Sequence, residues 1–174
     1  AEVFRAGLKA HGETADLRAG LATAYIGSDR EKQMENITRA LEINPVHAGA
    51  LLSLAEFQLG AEKFLEAEAS IQKVLAVCDN NPEAWALRAA VAQLSAADAG
   101  KVTAARIEGL KRWDKNPQVD HTLGRVLSRA YRFAEGAAHQ RKALEFNPAF
   151  LPAKVQLCHD LLRLGGEDEA WKLA

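Results

Sequence analysis

Cysteine is scarce in this chain: Cys78 and Cys158 lie 80 positions apart and form no CxxC pair. That excludes a disulfide framework or a cysteine metal knuckle, and both are expected to be small buried residues. Proline and glycine, five and twelve in 174 residues, are too few for a loop-rich or fibrous chain and favour an all-helical one. No apolar run approaches the roughly 20 residues of a spanning helix, so no membrane insertion is expected in this segment. Neither sign of charge dominates, with 22 Lys and Arg against 23 Asp and Glu, so no global field draws the chain to nucleic acid or anionic membranes. Catalytic signatures are missing too: there is no HExxH, no GxSxG, no phosphate-cradling glycine loop and no GxGxxG. His11, His47, His121, His139 and His159 show no ligand spacing, and the adjacent pair His159-Asp160 would diverge by about 100° on a helix. The expectation is therefore no enzyme, no catalytic residue, no metal and no cofactor.

What the chain does have is repetition. In Leu123 to Pro148, the residues Leu123, Gly124, Leu127 and Ala130 form one apolar stripe, and Phe133, Ala137, Gln140, Ala143 and Leu144 form a second, with a break at Tyr131-Arg132. This is a helical hairpin whose short helices need a neighbour of their own kind. Asn-Pro recurs at Asn44-Pro45, Asn81-Pro82, Asn116-Pro117 and Asn147-Pro148, at intervals of 37, 35 and 31 residues. Proline there ends one helix and can open the next. The related endings ITRALEINP, SIQKVLAVCDNNP and HQRKALEFNP make the period a structural unit.

With its Leu-Ala or Leu-Gly pairs in first helices, small residues in second helices and closing Ala-Leu…Pro, the chain resembles the tetratricopeptide repeat (TPR) family. The resemblance implies an all-α, right-handed superhelical solenoid of antiparallel helix pairs. On it, residues 1–174 form a single array: a half repeat over 1–12, full repeats over 15–45, 47–80, 82–115 and 117–148, and a partial repeat over 149–174. Both ends look cut, as if excised from a longer protein. In the third repeat a second helix is expected over Val102 to Trp113, with Trp85 and Trp113 in the core. Tyr131 stands where the family prefers Gly, and Gly136 where it prefers Ala, which implies closer helix contact at that crossing.

The resemblance also implies that first helices line a concave groove for a peptide or partner protein. Carried over, the groove residues singled out are Glu56, Gln93, His121, Arg125, Arg129, Gln156, His159 and Arg163. Between Pro117 and Arg163 there are seven Lys or Arg against four Asp or Glu, and arginines at one-turn spacing can take carboxylates in bidentate fashion. The expected partner is an acidic peptide or acidic protein surface. Chaperone docking through a Lys and Asn pair is disfavoured, because Ala19 and Thr23 or Leu52 and Glu56 occupy the matching places. Base reading by an RNA-binding repeat is disfavoured by Ala19, Leu52, Ala86 and Val155. Alternatives are a recognition arm of a larger enzyme, such as a bacterial hydrolase or peptidase with its catalytic domain elsewhere, and self-association through the cut end at Trp171 and Leu173.

Overall fold

The structure is a computed structural model that describes residues 1–173, and every element among them is α-helical. Two compact units divide the chain after Asp79. The first holds α1 (Glu2–His11), α2 (Ala15–Ala24), α3 (Arg30–Ile43), α4 (Ala48–Leu59) and α5 (Phe64–Val77). The second holds α6 (Pro82–Ser95), α7 (Ala99–Leu110), α8 (Pro117–Arg129), α9 (Phe133–Phe146), α10 (Leu151–Arg163) and α11 (Glu167–Leu173).

The regular period lies in the turns within helix pairs. Gly27, Glu62, Ala97, Tyr131 and Gly165 all have left-handed φ, of 77°, 58°, 49°, 62° and 79°, and follow one another at gaps of 35, 35, 34 and 34 residues. Three of these turns close alike: the N–H of Lys63, Arg132 and Gly166 donates to the carbonyl five residues back, at 2.9, 3.0 and 2.8 Å. That bond satisfies a carbonyl the helix end would otherwise orphan, and it requires a left-handed residue just before it. Glycine adopts that conformation freely, whereas Glu62, Ala97 and Tyr131 hold it at roughly 1–2 kcal/mol each.

The Asn-Pro dipeptides scatter about this period because they do two jobs. Asn81 and Asn116 cap the starts of α6 and α8, accepting from the N–H of Ala84 and Gln118, and Pro82 and Pro117 open those helices. Asn44 and Asn147 instead end α3 and α9, and their side chains accept from the N–H of Val46 and Ala149 to shape the turn. The same two residues thus sit three positions before the cap of the next helix, His47 or Phe150.

Each unit buries a core rich in alanine. In the first, Ala22, Ile37, Ala55, Ala67 and Ile71 are fully enclosed. In the second, Leu87, Val119, Leu123 and Leu127 are, and Ala137, Leu157, Leu161 and Ala170 close the α9–α10–α11 end with Leu144 and Leu173 against them. Small residues let the backbones approach. Gly124 of α8 and Gly136 of α9 face each other so closely that a Cβ on Gly124 would lie 2.8 Å from the Gly136 carbonyl, and one on Gly136 3.0 Å from that of Gly124.

The third helix pair departs from expectation. α7 begins at Ala99, capped by the Asp98 side chain on the N–H of Lys101, and its buried residues are Ala105 and Gly109. Ile107 and Trp113 face solvent, at 59 % and 56 % exposure. Gly109 explains the choice of face, because a Cβ there would meet Trp85 at 3.2 Å and Val119 at 3.3 Å, so only the small side of α7 fits. Cys78, expected in the interior, is exposed at the end of α5.

Candidate functional site

α8 is the central helix of the second unit: ten of its thirteen residues are buried, including Asp120, His121, Thr122 and Ser128, so their polar atoms must find partners inside. Asp120 is fully enclosed and takes three hydrogen bonds of 2.7–3.0 Å from the Arg106 guanidinium of α7 and one of 2.9 Å from His139 Nδ1–H of α9. Burial pushes its carboxyl up, but the hydrogen bonds from His139 and Arg106 outweigh this and hold it below the usual carboxylate range. At the next residue, His121 Nδ1–H donates to Gln140 Oε1 at 2.9 Å, Gln140 Nε2–H returns to the His121 carbonyl at 3.2 Å, and Phe150 packs edge-on against the imidazole.

Towards its C-terminal end α8 opens onto a cavity of about 610 Å³ shared with α9 and α10. Ser128, Arg129, Phe133, Gln156, His159, Asp160, Leu162 and Arg163 line it. The spacing accounts for the convergence: Gln156, His159, Asp160 and Arg163 recur at i, i+3, i+4 and i+7, on one face of α10. Asp160 is 1 % exposed; Gln156 Nε2–H donates to its Oδ1 at 2.9 Å, and the Ser128 hydroxyl lies 2.8 Å from its Oδ2. Burial pushes the Asp160 carboxyl above its ordinary value, against the pull of the Gln156 and Ser128 hydrogen bonds and of His159. Arg129, His159 and Arg163 are exposed. The wall thus carries two exposed arginines and an exposed histidine while its own carboxyl group is buried.

Of the eight residues singled out from sequence, this cavity brings together Arg129, Gln156, His159 and Arg163. Arg125 is half-buried one turn before Arg129 on α8. His121 is 8 % exposed and turned into the α8–α9 contact with Gln140. Gln93 donates to Glu135 at 2.7 Å while its carbonyl accepts from Arg132 at 2.9 Å, which ties α6 to the start of α9. Glu56, half-buried on α4, belongs to the first unit. Sequence reasoning missed Phe133 and Asp160 as members of this cavity, although the α10 spacing pointed to Asp160. Among the described residues, no group of three or more His, Cys, Asp or Glu could hold a metal ion, and no helix is long and apolar enough to cross a membrane.

A second cavity, about 770 Å³, runs along α3 in the first unit. Its arginines are committed within the chain: Arg18 and Arg39 both bind Glu13, Arg39 also meets Glu42 at 2.8 Å, and the Arg30 guanidinium lies 4.3 Å above the Phe57 ring. Arg39 and Arg18 hold Glu13 down to about 2.

No family model matches the chain, and no curated protein does. Solved structures do. The chain is similar to TTC0263, a thermophilic TPR protein of Thermus thermophilus, at 20 % identity and TM-score 0.68 over 92 % of this chain and 88 % of that one. It is similar to a tetratricopeptide repeat protein from Parabacteroides merdae at 15 % identity and TM-score 0.65, over 96 % of this chain and 65 % of that one. YrrB, described as a TPR protein with an unusual peptide-binding site, matches at 14 % identity and TM-score 0.56, over 98 % of this chain and 88 % of that one. At these identities the likeness establishes the fold, the all-α helical repeat of the TPR type.

Proposed function

We propose that this chain is a protein-interaction scaffold whose second unit holds an acidic peptide, or an acidic segment of a partner protein, on the wall formed by α8 and α10. The observation that carries this is the cavity where Arg129, His159 and Arg163 converge while Asp160, the carboxylate among them, is buried and hydrogen-bonded. Guanidinium groups take carboxylates in bidentate fashion, and charges at an open wall act mainly on encounter rate and specificity. The peptide-binding site attributed to YrrB, a protein of the same fold, is compatible with such a role.

An acidic dodecapeptide labelled with a fluorophore serves as the probe. The paired variant Arg129→Glu/Arg163→Glu should weaken its binding at least about tenfold, given that like charges are then juxtaposed. Affinity of the wild-type chain should also fall between about 50 and 200 mM salt. Equal anisotropy titrations for wild type and variant would remove the acidic-peptide assignment.

A further inference from the structure

Of the five left-handed turns, the one between α8 and α9 carries the largest side chain. Gly27 and Gly165 show that glycine closes the same turn elsewhere in the chain. Glu62 and Ala97 show that a side chain alone is no sign of function. Tyr131 differs in what its ring does. It is 84 % exposed, yet it stands edge-on to Phe133 with centroids 6.0 Å apart at 84°. Phe133 lines the cavity beside Arg129, and Leu162, 51 % exposed, lines it with Arg163. A bulky residue at positive φ is an outlier that persists where the surroundings or a function maintain it. Here an aromatic pair extends the apolar border of a cationic wall.

We infer that Tyr131 is a specificity residue of this wall: with Phe133 it forms an apolar ledge that selects acidic segments in which aromatic or large apolar side chains stand beside the carboxylates. The assignment rests on the acidic-peptide function proposed for the same cavity. Carboxylates meet Arg129 and Arg163, and the neighbouring ring meets Phe133, Leu162 and the edge of Tyr131. Aromatic rings prefer such edge or offset contacts at centroid distances of about 4.5–7 Å.

Two acidic dodecapeptides of equal net charge test this, one with its Asp and Glu interleaved with Phe, the other with Gly. The wild-type chain should bind the Phe peptide about fivefold tighter, the scale of an aromatic contact. Tyr131→Gly should lose that preference, Tyr131→Phe should keep it, and Tyr131→Gly should melt no lower than wild type because the turn is relieved. Glu62→Gly, which relieves the corresponding turn in the first unit, should leave both affinities unchanged. Equal wild-type affinity for the two peptides, or a preference that survives in Tyr131→Gly, would overturn the ledge while leaving the cationic wall standing. Binding of neither peptide would overturn both.

Discussion

Arg106→Met is expected to cost the fold about 3–5 kcal/mol in chemical denaturation, although the residue touches neither cavity, because it strips a buried carboxylate of its main cation. Asp120 has no exposed surface, and Arg106 supplies three of the hydrogen bonds that replace its hydration. The methionine keeps much of the aliphatic stem and gives up the guanidinium, which also stands 5.9 Å from the Phe146 ring centroid, so the loss comes chiefly from the charge left behind. The variant Arg106→Met/Asp120→Leu/His139→Leu removes all three polar groups, and it should recover most of the loss, since buried ion clusters often break even against apolar replacements. If the single change cost no more than a surface substitution, within about 0.5 kcal/mol, the cluster would be structurally idle. The pH dependence has a defined sign. The carboxyl of folded Asp120 is held below its ordinary value, so its contribution is complete above the unfolded carboxylate range near 3.9 and is lost as pH falls through the folded value. Wild type should therefore lose stability below about pH 4 faster than the apolar triple variant does.

Gly124→Ala should destabilise the second unit by about 1–3 kcal/mol, where helix propensity alone promises a gain of about 1 kcal/mol. The new Cβ would sit 2.8 Å from the Gly136 carbonyl and 2.5 Å from Gln140 Nε2. The first is backbone and cannot step aside without parting α8 from α9. The second is a buried amide already committed to His121. Gly60→Ala is the control: Gly60 has φ −67°, and a Cβ there meets nothing nearer than 3.6 Å, so that change should stabilise by about 0.4–1 kcal/mol. Thermal melts of the two variants should move in opposite directions. Both moving up would mean that α8 and α9 do not approach as closely as Gly124 and Gly136 suggest.

The helical repeat was open to inspection before any coordinates, because its signals are local. Leu123 and Leu127 recur on one helical face, Asn and Asp offer caps, and Tyr131 interrupts where a chain reversal belongs; each depends on residues within a turn of one another. The convergence of Gln156, His159 and Arg163 was readable for the same reason, as a spacing on a single helix. Their meeting with Phe133 of α9 was not.

Distance along the chain separates the other partners, and only the stacking of helices could choose among them. Asp120 meets Arg106 from fourteen positions before it and His139 from nineteen after. Nothing nearby distinguishes it from the exposed Asp114. His121 went to the interior because Gln140 arrives opposite it, and Ile107 went to solvent because the close contact at Gly109 with Trp85 and Val119 turns the small side of α7 inward. Periodicity specifies that a helix has a buried side; the volume and hydrogen bonds of what packs against it decide which side that is and which charges can survive there.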